Sequence, residues 1–260
     1  MLSVMKRISF RRTGLSRISS CLLPGLWGIA FLVASSLVWA QSDTASAQFE
    51  KATEAMRAGN LDAAASGFAA VIRQSPAFAE AHFNLGLVNE ERGNYEEAIA
   101  NFNKALALKP HLHGANLFLG ITEFRLNHLG EAHTAVAKET VSYPKDASAW
   151  MWLGVVCLAQ DKAEDAADAL DRAAKLNPND QDIFYHRGRA HLLVSKNSYA
   201  HMFKLNSQSW LVHRVLAQAN SEAERHTDAI TEYELAIKLA PTQPGLHEEL
   251  GSGSTAEVLE

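Results

Sequence analysis

Only two cysteines, Cys21 and Cys157, and seven prolines occur in 260 residues, and 47% of the chain is hydrophobic. A disulfide framework, a collagen-like repeat and a disordered chain are thereby excluded. Catalytic signatures are missing as well. There is no glycine-rich phosphate loop, no nucleophile elbow, no paired metalloprotease histidines and no Cys-x-x-Cys. Positive charge is scarce where it would matter. The chain holds 24 Lys and Arg against 29 Asp and Glu, and five of the bases (Lys6, Arg7, Arg11, Arg12, Arg17) fall in the first 40 residues, which contain no acid. The remainder therefore carries 19 bases against 29 acids, a net charge of −10, and nucleic acid is excluded as a partner class.

The basic stretch through Arg17 leads into an apolar run from Leu26 to Val38, closed by Val38-Trp39-Ala40 ahead of Gln41-Ser42-Asp43. This order reads as a secretory signal peptide over 1–40, cleaved after Ala40, with the mature chain periplasmic or secreted. The competing reading keeps Cys21 to Ala40, 20 residues, as an uncleaved anchor with the rest facing outside the cytoplasm. Pro24, Gly25 and Gly28 interrupt that span, and membrane contact would be confined to residues 21–40. Ile18-Ser19-Ser20-Cys21 precedes the apolar run, where a lipoprotein box would end it. Arg11-Arg12 is followed by Gly14, where a twin-arginine signal wants an apolar residue. Cleavage after Ala40 leaves Cys157 alone, with no internal disulfide to form.

Self-similarity dominates what is there. Small residues recur at Ala52, Gly86, Gly120, Gly154 and Gly188, each 34 apart. Alanines keep the same interval at Ala64, Ala98, Ala132, Ala166 and Ala200, as do Pro76, Pro110, Pro144 and Pro178. Helical spacing on both sides of a central turn, as in Leu85, Gly86, Asn89, then Gly93-Asn94, then Ala98, Phe102, Ala105, makes each unit a helix–turn–helix hairpin. The paired small residues let two helices approach closely, Phe68, Phe102, Leu170 and Tyr233 fill the adjoining space, and the proline stops the second helix. One hairpin cannot bury its apolar face alone, so the units must stack.

These residues resemble the tetratricopeptide repeat family, most clearly in Leu85-Gly86, Ala98, Phe102, Ala105, Pro110 and in Trp150, Leu153-Gly154, Ala166, Leu170, Ala173, Pro178. The resemblance implies an all-α fold, a right-handed superhelical solenoid. A short linker at 41–44 is followed by six repeats over 45–243, with units at 45–78, 79–112, 113–146, 147–180, 181–209 and 210–243. Residues 244–260 begin a seventh repeat or form a capping helix with a flexible tail. In this family the first helix of each unit lines a concave groove. Carried over by position, that surface is Phe83 and Leu87, then Leu117, Phe118, Ile121 and Phe124, then Met151, Trp152, Val155 and Leu158, then Tyr185 and Arg189. Glu90, Glu91 and Asp182 give it acidic margins. The implied partner is a protein or peptide, docking as an apolar helix or extended segment. The alternative is that adjacent first helices bury these positions against one another, because a helix apolar on most sides is usually buried. Lys is absent from the stripe, and Asn84, Arg125 and Arg189 are scattered, so a grip on a terminal carboxylate is not expected.

Departures from the pattern fall in the fifth unit. The spacing from Gly188 to Ala217 is 29, so five residues are missing, and Arg187, His191 and Lys204 stand where the family has apolar residues. Residues 195–209 are expected to form a short helix flanked by loops. Gly251-Ser252-Gly253-Ser254-Thr255 reads as a linker that stops a seventh hairpin. His111, His113, His128, Glu131 and His133 invite a metal, but the repeat register spreads them over a unit boundary and a turn, and no metal or cofactor is expected. The expected role is an exported, non-enzymatic protein-interaction scaffold. Its rivals are a membrane-anchored envelope assembly factor and the interaction arm of a larger enzyme continuing past Glu260.

Overall fold

The computed structural model describes residues 44–257, with side chains described through 251; the expected signal peptide or anchor over 1–40 lies outside the described residues. Among the described residues there are twelve helices and no strand. They are α1 (44–57), α2 (Leu61–Gln74), α3 (Ala79–Glu91), α4 (Tyr95–Leu108), α5 (Ala115–Arg125), α6 (Leu129–Ser142), α7 (Ala147–Ala159), α8 (Ala163–Leu176), α9 (Gln181–Leu205), α10 (Trp210–Glu222), α11 (His226–Leu239) and α12 (Leu246–Glu257). From α2 to α9 and again from α10 to α12 each helix packs on its sequence neighbours, while α9 and α10 barely touch, so the architecture is a solenoid whose serial core is interrupted after α9.

The hairpin turns have one backbone solution. Gly59, Gly93, Asn127, Asp161 and Glu224 occupy the same place in five units, and all have positive φ, from 56° to 79°. This left-handed residue lets the next amide reach back to an orphan carbonyl at the end of the first helix, as Asn94 does to Asn89 at 2.8 Å and Lys162 to Cys157 at 3.0 Å. Side chains cap several following helices. Asn60 accepts from the Ala63 amide, and Asp146 from the Ser148 and Ala149 amides. Across each hairpin the small residue is required by contact. A Cβ on Gly86 would lie 2.6 Å from Phe102, and one on Gly154 would lie 2.5 Å from Leu170, whose side chains are both fully buried.

Unit boundaries are fastened at the proline. The imidazole Nε2 of His82 lies 3.1 Å from the Pro76 carbonyl, and one unit pair later the Trp150 indole N–H donates to the Pro144 carbonyl at 3.0 Å. Between units the apolar residues form a chain of small clusters. Phe68, Ala52, Ala64 and Val88 make one, and Leu117, Ile121 and Val136 another. Cys157, Ala166, Leu170 and Ala190 join the fourth and fifth units, and burial pushes the Cys157 thiol pKa up.

The fifth unit departs from expectation. No short helix flanked by loops lies within 195–209, because α9 is one unbroken helix of 25 residues that ends at Leu205. Ser195 takes the place of the left-handed turn residue and stays helical. With five residues missing, a return helix would be too short to cover its partner, whereas continuing α9 satisfies every amide internally. Gly188, the counterpart of Gly154, accordingly has nothing within 4 Å of where a Cβ would stand. The first half of α9 still packs normally through Ile183 and Ala190. The polar Arg187 and His191 converge on Asp171 of α8, at 2.6 and 3.0 Å.

Past α9 the ordinary pattern returns. Ala217, Ala229, Tyr233 and Ala236 are buried between α10 and α11, and α12 lays Leu246 against them with Arg214 Nε bonded to Glu249 at 3.0 Å. The described backbone stays helical past Gly251, through Glu257.

Candidate functional site

The first helices α3, α5, α7 and α9 run side by side, so their fifth, sixth, ninth and twelfth positions form one continuous face. What each position offers to a partner depends on its neighbours. Leu117 and Ile121 are buried at 7% exposure each and belong to the core, with Phe118 and Trp152 packed over them. Phe83 is half-buried, its ring centroid 5.8 Å from Phe102 and 5.9 Å from Phe118. Met151 and Leu158 pack on the cluster around Cys157, and Val155 is half-buried between units.

Two places remain open along this face. Leu87, Met56, Glu90 and Phe118 line a hollow of about 390 Å³ between the first and third units. Further on, the edge-to-face pair Phe124 and Trp152, 5.8 Å apart and half-buried, leads onto α9. There the apolar surface is free: Tyr185 is 63% exposed and Leu192 70%. The Arg189 guanidinium sits 5.8 Å from the Tyr185 ring, which places a cation beside the aromatic surface.

The acidic margin is partly neutralised within the chain. Arg125 Nε contacts Glu90 at 2.7 Å across the α3–α5 boundary, so Glu90 has its own cation and Arg125 is engaged rather than free for an incoming carboxylate. Asp182 lies exposed at the start of α9, and burial beside Arg189 lowers the pKa of the neighbouring His186. The exposed apolar stripe on α9, from Phe184 and Tyr185 through Leu192 to Tyr199 and Leu205, was only half visible to repeat arithmetic. Tyr185 and Arg189 follow from position. Tyr199 and Leu205 do not, because the pattern assigns them to a return helix that is not formed.

A tetratricopeptide repeat model matches residues 49–113, 119–181 and 158–193, more than half of the chain. The chain belongs to the tetratricopeptide repeat family. Proteins of this family mediate protein–protein interactions and are typically non-catalytic scaffolds. Among curated proteins, the BBSome complex member BBS4 of Bos taurus is 27% identical over 194 residues, 72% of this chain and 37% of that protein. A TPR repeat-containing protein of Treponema pallidum (strain Nichols) is 37% identical over 90 residues, 35% of this chain and 11% of that protein. The chain thus spans little more than a third of such relatives at most. Among solved structures, the MamA protein shares 17% identity with a TM-score of 0.55, over 76% of this chain and 92% of that one. Pseudomonas aeruginosa pilF shares 17% identity with a TM-score of 0.56, over 82% and 99%. Likeness at this identity is a likeness of tetratricopeptide fold alone.

Proposed function

We propose that this tetratricopeptide protein is exported and acts as an interaction scaffold, holding an apolar segment of a partner protein along its concave face from Phe124 and Trp152 onto α9. The observation that carries this reading is the placement of exposed apolar side chains. Leu192 holds on α9 the repeat position that Phe124 holds on α5, and it and Tyr185 are left 70% and 63% exposed; large apolar side chains exposed on a groove-lining helix mark an interaction site. Partner binding would supply the missing burial, each large side chain contributing on the order of 1.5–3 kcal/mol. Arg189 beside Tyr185 favours a segment with an acidic residue flanking its apolar anchors. Export is supported by the basic and apolar order of residues 1–40. No described helix is long and apolar enough to cross a membrane.

The test is site-specific photocrosslinking in the native host. A crosslinker at 185 or 192 should trap a partner, and one at Val141, more exposed at 82% but on α6 away from this face, should not. Phe124→Ser should weaken capture at 192 while leaving the fold intact. Capture at 141 and not at 185 or 192 would send the search to the opposite face. An intact mass beginning at Gln41 would support cleavage, and a membrane-bound product retaining 1–40 would favour the anchor.

A further inference from the structure

The third unit breaks the repeat at two places that the fold brings together. Where the other hairpins carry Val71, Ala105, Ala173 and Ala236 near the end of the second helix, this one carries Glu139. Where others begin with Ala45, Ala79 and Ala147, this one begins with His113. Glu139 is fully buried, at 0% exposure, in a position built for a methyl group. One of its oxygens accepts from the Gly114 amide at 2.7 Å, and Gly114, at φ 81°, starts α5 two residues later in its unit than α3 and α7 start in theirs. The other oxygen, Oε2, is buried and has no hydrogen-bonding partner in the protein. A buried carboxylate with half its bonding capacity unmet is costly unless it takes up a proton or a cation supplies the rest.

The surroundings supply two more donors. One ligand atom each from His113, Glu139 and Asp146 lie within 4.8 Å of one another. His113 Nε2 and Asp146 Oδ2 are 3.3 Å apart, close to the edge of a tetrahedron with bonds of about 2.0–2.2 Å, which is roughly 3.4 Å. Both donors are held in orientation. Asp146 Oδ1 accepts from the Ser148 and Ala149 amides, which turns Oδ2 toward His113, and the His113 ring stands edge-on to Tyr143 at 4.4 Å. A hollow of about 890 Å³ lined by His113, Gly114, Tyr143 and Asp146 opens the spot to solvent.

We propose that His113, Glu139 and Asp146 form a divalent transition-metal site, with zinc as the fitting cation and water as the fourth ligand, clamping the starts of α5 and α7 to α6. One imidazole and two carboxylates suit a borderline cation better than magnesium or calcium, which favour all-oxygen shells. This site is separate from the concave face and stands independently of the binding reading. It also replaces the histidine set that spacing brought forward, since His111, His128 and His133 join no such group among the described residues.

The experiment uses the full-length protein, stripped with a chelator and then titrated with Zn²⁺ or Co²⁺. Zinc should raise the melting midpoint with one tight equivalent per chain, and Co²⁺ should give the intense visible absorption of a tetrahedral site. His113→Ala and Glu139→Gln should each weaken metal binding at least about tenfold and remove the absorption. Glu139→Gln keeps an acceptor for the Gly114 amide, so its metal-free midpoint should match or exceed that of the stripped wild type. The His111→Ala, His133→Ala double variant should bind as wild type does. No zinc-dependent shift in the wild type would overturn the proposal. So would a shift that survives in both His113→Ala and Glu139→Gln.

Discussion

Replacing Gly188 and Gly154 by alanine, one at a time, tests the unbroken α9 directly, because the two glycines share a repeat position and differ only in what faces them. In a helix interior alanine is favoured over glycine by about 1 kcal/mol. At 188 no atom lies within 4 Å of the new Cβ, so the whole gain should survive. At 154 the new Cβ would stand 2.5, 2.9 and 3.1 Å from three carbons of Leu170, a side chain with no exposure and nowhere to retreat. Overpacking of this kind costs about 1–3 kcal/mol, which cancels or reverses the helix gain. Gly188→Ala should therefore raise the melting midpoint by about 2–4 °C, and Gly154→Ala should leave it unchanged or lower it by up to several degrees. Urea denaturation followed by far-ultraviolet circular dichroism gives the same comparison at constant temperature. Amide exchange in the wild type should be faster over 195–209 than over 147–180, since the second half of α9 lacks a packed neighbour. A Gly188→Ala protein that melts lower than wild type would mean that a second helix packs on position 188. The fifth unit would then close as an ordinary hairpin, and the exposed stripe on α9 would not exist.

Phe102→Ala should destabilise by about 3–5 kcal/mol in chemical denaturation, because the ring is wholly buried and in contact with Phe83 and Phe118; an unchanged midpoint would place the ring outside the core. Asp171→Asn should lower stability at pH 7 and lose its effect in acid. Hydrogen bonds from His191 and then Arg187 hold the Asp171 carboxyl below the usual carboxylate range, so its contribution is complete above a pH of about 4 and fades as the pH falls through the depressed folded-state value. Melting curves of both proteins at pH 7 and near pH 3 check this, and a difference that persists undiminished in acid would show that the carboxylate charge is not what matters.

The repeat was legible because its causes are local and recur. A 34-residue interval of small residues, turn residues and prolines prescribes hairpins wherever it is kept, and the close contacts of Gly86 with Phe102 and Gly154 with Leu170 are those the interval implies. Even the glycine in the turn is dispensable, since Asn127, Asp161 and Glu224 take the same left-handed backbone under pressure from the hairpin they close. The five missing residues were equally visible, but their outcome was not. Whether a shortened segment turns back or runs on depends on how much surface a return helix could bury, and that is a balance over α7, α8 and α9 together.

The groove and the buried carboxylate divide in the same way. Position in the unit nominates Leu117, Ile121, Tyr185 and Arg189 alike, because all lie on the facing side of a first helix. Only the stack decides that Leu117 and Ile121 are covered by the next unit while Tyr185 and Leu192 are not, since α9 has no return helix and no close successor. Glu139 stands out in the sequence as an acid in an alanine column. That it meets the Gly114 amide 25 residues away, with His113 and Asp146 beside it, follows from the tertiary fold, because sequence periodicity specifies which way a side chain points and only the assembled neighbours determine what it finds there.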